Sequence, residues 1–316
     1  MTFLSQTAFH LDSKQAQAFL SVIDSGSFEA AAQALHLTSS AVSQRLKALE
    51  SALGVTLMTR SRPCRATPAG QKLLQHLRRV KEMEQDLHSE YAGERHSALR
   101  VSLGVNADSV GSWMLPGLAD FLIAENILLE LIIDDQDHTH ALLEQGLVLG
   151  CISAEADSMR GCHTMALGIM RYHAVASKAY CARWFPMGMT RSSAALAPVL
   201  CFNRKDSLQS TFLQSHFGLP SASYPSHFIP ATGAYNQSIV LGLGWGLIPE
   251  VMLTGPDMAE LVRLMPHSSV DIALYWHQWK VQTPRLQRLS AKLLGAAQAV
   301  LHPVAAPLRT RGRESL

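Results

Sequence analysis

The sequence predicts a mixed fold, α+β joined to α/β: an N-terminal winged helix-turn-helix, one long linker helix, and a two-lobed α/β domain. Three observations carry this. Three short helical patterns, each with its own start and stop residues, fill residues 12–54. An apolar stripe at a spacing of three and four then runs from Leu73 to Tyr91. From residue 99 onward, apolar runs of strand length alternate with helical patterns.

Residues 12–25 place Phe19, Val22 and Ile23 on one helical face, and Gly26 ends the helix. Ser27 is a good N-cap for the next segment, FEAAAQALHL, whose Ala30, Ala31, Ala34 and Leu35 suit close helix packing. Thr38 caps a third helix, SSAVSQRLKALESAL, which stops at Gly54. Its apolar face is Ala41, Val42, Leu46, Leu49 and Leu53. The opposite face shows Ser39, Ser40, Ser43, Gln44 and Lys47, flanked by Arg45. Residues 55–67 read as a short hairpin with arginines and a proline near its tip, a wing. Thr67 and Pro68 open a long helix that reaches about Tyr91. Leu73, Leu77, Val80 and Leu87 form its stripe, interrupted at Glu84, and predict a helix partner from a second copy.

Beyond the polar link AGERHSA come strand LRVSLGV, helix SWMLPGLADFLIAE, strand LLELIIDD, helix THALLEQGL and strand VLGCIS. A second lobe is expected to start near Cys162 and to include MRYHAVAS, PVLCFNR and IVLGLGWGLIPEVM. The chain is expected to return to the first lobe with strand DIALYWHQW and helix PRLQRLSAKLLGAAQAVL. The predicted organisation is 1–66 for the winged helix-turn-helix, 67–92 for the linker and dimerisation helix, and 93–302 for the α/β domain. Within the last, lobe one takes about 98–162 and 266–302, lobe two about 163–265, and 303–316 reads as a disordered tail.

The composition narrows the function classes. With 316 residues and 47% apolar content, the chain can fill two or three cores. Its net charge is only +2, but from Ser39 to Lys81 nine basic residues face a single acid, Glu50, a local charge of +8. That patch suits phosphates. The five cysteines are odd in number and none stands in a C-x-x-C pair, which argues against a disulfide framework or a zinc site. No cofactor or metal is expected. The start of the chain does not read as a signal peptide, and no apolar run reaches membrane-spanning length. A cytoplasmic, nucleoid-associated protein without a membrane partner is the expectation.

An α-helix fits the DNA major groove, and short polar side chains at its N-terminal end reach base edges and phosphates. Thr38, Ser39, Ser40, Ser43 and Gln44 are therefore candidates for base or phosphate contact with double-stranded DNA. Arg45, Lys47 and the wing residues Arg60, Arg62 and Arg65 are candidates for phosphates or the minor groove. A small interaction domain with a solvated basic face is the competing reading. Turn, basic bias and wing together favour DNA.

The run FLSVIDSGSFEAAAQALHLTSSAVSQRLKALESALGVTLMTRSRPCRATPAG resembles the DNA-binding signature of LysR-type regulators almost position by position. LGLGWGLIP and LYWHQW resemble that family's glycine-rich turn and returning strand. Within the family, RPCRAT, VNADS, IDDQDHTHALLEQG, SKAYCARWFPMGMTRSSAALAPVLCF and DSLQSTFL resemble the ArgP/LysG-like subgroup. The resemblance implies a periplasmic-binding-protein-like effector domain, dimers through the linker helix, tetramers, and contact with RNA polymerase. It also implies sensing of lysine or arginine and activation of a gene for an amino-acid exporter. Met58 stands where an aromatic or similar apolar residue is usual, and Gly233 where relatives often carry an acid.

Ligands of open α/β folds sit beyond the carboxyl ends of strands. Asn106, Asp108 and Ser109 follow the first strand, and Asp134, Asp135 and Asp137 follow the second. These loops aim carboxylates at the expected cleft, as an ammonium or guanidinium ligand requires. Ser109 and Thr232 are candidates for the carboxylate of an amino acid, and Tyr235 completes the candidate set. Asp108 and Asp137 read equally well as helix N-caps. His138, His140, His173, His227 and His277 are scattered, and GLGWG lacks dinucleotide-loop spacing. Three other readings remain at this point: a ligand-independent architectural protein at a replication origin, an enzyme with a fused DNA anchor, and an exported solute-binding protein. The enzyme would need a nucleophile beside a base, and no such motif is present.

Overall fold

The computed structural model describes residues 11–91 and 98–304. The first ten residues, most of the polar link and the tail from 305 lie outside the described residues. The chain divides into two compact units, residues 1–95 with 144–147, and the remainder.

The first unit is a winged helix-turn-helix. Helix α1 (Ser13–Ser25) starts where the Asp12 carboxylate accepts from Gln15 N at 2.9 Å and stops at Gly26, φ 73°. Helix α2 (Phe28–Ala34) starts at Ser27, whose hydroxyl accepts from Ala30 N, and ends three residues earlier than expected. His36 takes a left-handed φ of 54° and turns the chain sharply into α3 (Ser39–Leu53). The small residues that pack inward from α2 are Ala31 and Ala32, while Ala34 is exposed, because the helix presents a different face than the spacing suggested. Strands β1 (Met58–Thr59) and β2 (Arg65–Ala66) form the wing. Met58 is buried, so the unusual side chain fills its core position, as a flexible thioether can.

Helix α4 (Pro68–Tyr91) begins with Thr67 as cap, its hydroxyl accepting from Gly70 N. A Cβ on Gly70 would lie 1.8 Å from the Leu57 carbonyl oxygen, so the helix can rest on the wing backbone only through glycine. The predicted dimer stripe needs correction here. Leu77, with its neighbour Leu74, is buried in the unit's own core beside Phe19, Val22, Leu46 and Leu57, and Leu73 packs against it. Val80 is half-buried and Leu87 is exposed. The first turns of α4 complete a domain core, and among the described side chains further along it Met83 and Leu87 are exposed.

The second unit is built on a continuous seven-stranded sheet. Strand β3 (Leu99–Val105) leads into a helical run: α5 (Ala107–Ser109), a π-helical turn (Val110–Met114) and α6 (Leu115–Ala124). Strand β4 (Ile127–Ile133) pairs parallel to β3 with Val105 opposite Ile133, so both strands end at one level. Helix α7 (Thr139–Glu144) and strand β5 (Gly150–Ser153) follow. Strand β6 (Cys162–Ser177) is sixteen residues long. It pairs with β11 (Val270–Trp279) from Cys162 to Tyr172, then with β9 (Gly246–Pro249) and β10 (Leu261–Arg263) from Tyr172 to Ser177. The crossing into the second lobe therefore falls near Tyr172, not Cys162. The pairing partners that decide it lie seventy or more residues further along the chain.

Lobe two adds α8 (Lys178–Trp184), α9 (Arg191–Leu196), β7 (Val199–Cys201), α10 (Leu208–Phe217), β8 (Ser226–Phe228), α11 (Thr232–Val240) and α12 (Pro256–Ala259). Helix α13 (Pro284–Gln298) packs Leu286, Leu289 and Leu293 into the main core of this unit. None of the five cysteines forms a disulfide. His277 is buried between the Glu155 carbonyl and the Thr164 hydroxyl, a structural position.

Candidate functional site

Two sites emerge, one in each unit. On the first, Thr38, Ser39, Ser40, Gln44 and Lys47 are exposed along the start and outer face of α3, with Ser43 and Arg45 half-buried beside them. The Thr38 hydroxyl is committed to the helix: it accepts from Ala41 N at 3.2 Å and lies 2.9 Å from the Ser40 hydroxyl. Arg60, Arg62 and Arg65 are exposed on the wing, and the Arg60 guanidinium lies 5.6 Å from the centre of the Phe28 ring. The lone acid of the basic stretch turns inward, because Glu50 accepts from Leu57 N at 2.8 Å. Arg78 is spent internally on Asp24, at 2.6 Å. What remains is a solvated cationic face of helix N-terminus and wing, suited to phosphates. On the same unit, a groove of about 780 Å³ runs between α1 and α4, lined by Leu20, Leu35, Leu77 and Val80 among others.

The second site is a cleft of about 100 Å³ at the ends of β3, β4 and β7, where β6 crosses between lobes. Asn106, Asp108, Asp134, Asp135 and Thr232 line it as the sequence predicts. Tyr235 also lines it, but its hydroxyl is engaged by the Gln209 amide, the Leu200 carbonyl and Leu247 N, so it supports the wall rather than facing a ligand. Two candidates lie elsewhere. Ser109 is fully buried and forms no part of the wall, and Asp137 is exposed outside it, its N–H donating to Asp135 Oδ1 at 3.0 Å. Neither Asp108 nor Asp137 is a cap: the residue before α5 is Asn106, and α7 starts two residues after Asp137.

The cleft also holds residues that sequence reading missed: Gln136, Tyr172, Asn203, Asp206, Gln209 and Asn236. Asp206 belongs to the DSLQSTFL segment that already carried a resemblance, and that was its available signal. Tyr172 sits mid-strand and carries no local signal.

Four carboxylates thus converge: Asp108, Asp134, Asp135 and Asp206. Among the described residues no lysine or arginine stands in the wall. Burial pushes Asp108 up to about 6; the Tyr172 hydroxyl, donating at 2.9 Å, pulls the other way, and Asp206 and Asp135 add to the rise. Burial likewise raises Asp135. Tyr172 stays protonated, its ionisation pushed far up by burial and by Asp108. Asn106 is buried with both amide atoms unpartnered, and Gln209 Oε1 is unpartnered too. Unsatisfied polar groups and crowded carboxylates at a strand-end cleft leave hydrogen-bonding capacity and negative charge without an internal partner. Gly233, at the start of α11, has open space where a Cβ would lie. No described helix is long and apolar enough to cross a membrane, and no described group of three or more His, Cys, Asp or Glu is arranged to hold a metal ion.

Residues 13–71 match the family of bacterial regulatory helix-turn-helix proteins, lysR family. The chain is 38% identical to the HTH-type transcriptional regulator ArgP of Aeromonas salmonicida, over 93% of this chain and 99% of that protein. ArgP from Mycobacterium tuberculosis superposes with a TM-score of 0.82 at 36% identity, covering 93% of this chain and all of that one. Full-length LysG from Corynebacterium glutamicum, with bound effector arginine, gives 0.76 at 32% identity, with the same coverage. In sequence and in fold, the chain belongs to the LysR family of bacterial transcriptional regulators, within its ArgP/LysG group.

Proposed function

We propose that this regulator senses a basic amino acid, L-lysine or L-arginine, in the strand-end cleft and binds promoter DNA through α3 and the wing. The observation that carries the reading is a wall that brings together four carboxylates and an orphaned asparagine and that no lysine or arginine lines. A guanidinium or ammonium would relieve the charge repulsion and donate to the orphaned Asn106 Oδ1 and Gln209 Oε1, while the amino acid's carboxylate would accept from Asn106 Nδ2. The arginine bound to the related LysG supports the same chemistry. We further infer a homodimer or homotetramer that uses the α1–α4 groove and the outer turns of α4, cytoplasmic action at a promoter with RNA polymerase, and control of an amino-acid exporter gene. No reaction is assigned to the chain. The relatives are named as transcriptional regulators, which gives no support to an architectural role.

A ligand at 100 times its dissociation constant stabilises the folded state by about 2.7 kcal/mol. A thermal-shift screen of the twenty amino acids on the full chain, followed by calorimetry, is the test. Lysine or arginine should stand alone in raising the melting temperature. Stabilisation by a neutral or acidic amino acid, with none from lysine or arginine, would refute the reading.

A further inference from the structure

Beside the cleft stands a cation that the protein supplies itself. Lys205 Nζ lies 3.2 Å from both carboxylate oxygens of Asp134. Asp134 follows β4 in the first lobe, while Lys205 follows β7 in the second, so the pair ties the lobes together across the mouth of the cleft. The loop that presents Lys205 is set by Asn203, whose Oδ1 accepts from Lys205 N at 2.7 Å and Asp206 N at 3.1 Å. Asp206 then turns its own carboxylate to Phe202 N and Leu208 N. The backbone is held, but the lysine side chain is 59% exposed and free to swing. An exposed ion pair of this kind is weak and exchanges partners readily.

A basic amino acid brings a carboxylate as well as cations. Within a wall of four aspartates that carboxylate is repelled, and the wall offers it only neutral donors such as Asn106. Lys205, paired with the wall residue Asp134, is a cation beside that wall. We propose, building on the basic-amino-acid reading above, that Lys205 is the specificity residue of this site. In the empty cleft it occupies Asp134 in place of a ligand cation. On binding it yields Asp134 to the ligand's ammonium and takes the ligand's carboxylate. The exchange makes the site selective for an α-amino acid over the diamine that lacks the carboxylate. The diamine must displace Lys205 and leaves it without a partner.

The test is calorimetry on the full chain with L-arginine, agmatine, L-lysine and cadaverine, for wild type, Lys205→Gln and Lys205→Arg. In the wild type each amino acid should bind more tightly than its decarboxylated counterpart. Lys205→Gln should weaken the amino acids and tighten the diamines, narrowing the ratio about tenfold, the scale of one charged hydrogen bond. Lys205→Arg should restore most of it. An unchanged ratio in Lys205→Gln, with arginine still bound, overturns the role of Lys205 while sparing the basic-amino-acid reading. A wild type that binds none of the four overturns both.

Discussion

The two functional surfaces carry opposite charge and handle it in opposite ways. The cationic face of α3 and the wing is drawn from one stretch, Thr38 to Arg65, and most of its candidate side chains stand in solvent. Its one acid is folded inward against Leu57 N. The anionic cleft is gathered from residues 106 to 249 and crowds its carboxylates into partial burial, where Asp108 is pushed up to about 6. Solvated charges cost little and act over distance, which suits a long polyanion approached from bulk water. Desolvated like charges are a standing cost, tolerable where a ligand of opposite sign is the intended occupant.

The sharpest way to separate the two surfaces acts through the core. Leu77→Glu places a charge among Phe19, Leu46 and Leu57 and should lower the stability of the first unit by about 4 kcal/mol or more. DNA binding should disappear while calorimetry still detects arginine in the cleft. Leu87→Glu, at an exposed position of α4, should leave melting within about 0.5 kcal/mol of wild type and act only on self-association, read by sedimentation. DNA binding by Leu77→Glu at wild-type affinity would show that α4 is not part of the DNA-binding core.

Next in size is the cleft itself. Asp108→Asn should weaken arginine or lysine by about 1.5–3 kcal/mol, the scale of a charged hydrogen bond, with DNA affinity in the absence of ligand unchanged. The pH dependence follows from the direction of the Asp108 shift. Its folded value is raised, so its contribution to stability is present in full at pH below the ordinary carboxylate value and is lost as pH rises through about 6. Affinity for a cation runs the other way: full above pH 6, then falling up to about tenfold per unit below it as Asp108 takes a proton. Calorimetry between pH 7.5 and 5 should show that fall in wild type and a flatter profile in Asp108→Asn. Equal slopes in the two proteins would remove Asp108 from the ligand.

The smallest effect belongs to the solvated face. Arg62→Ala should weaken binding to all DNA sequences by a similar factor and reduce the slope of log affinity against log salt by about one unit. Fluorescence anisotropy across a salt series measures it. A sequence-selective loss would instead make Arg62 a reader of bases.

The first unit was legible because its determinants are local. Asp12, Ser27 and Thr38 cap helices whose orphan N–H groups lie within three residues, and Gly26 and Gly54 end helices by taking a left-handed backbone. The loops after β3 and β4 were legible for the same reason, since strand ends in a parallel sheet mark the cleft. The helical stripe of α4 was legible as a stripe but not in its partner. Apolar spacing shows that a face is buried, not against what, and Leu77 chose its own domain.

The sequence alone thus determined the helix-turn-helix, the wing, the basic face and the acidic strand ends, because caps, turns and periodicity act over a few residues. Only the tertiary structure decided that Tyr172 meets Asp108 and that Asp206 faces both Asp108 and Asp135. It also decided that Ser109 and Asp137 turn away, and that Lys205 reaches Asp134 across seventy-one residues of chain. Such encounters depend on pairings between strands far apart in the sequence: at β6, a one-residue slip would send Tyr172 and every other side chain of the strand to the opposite face.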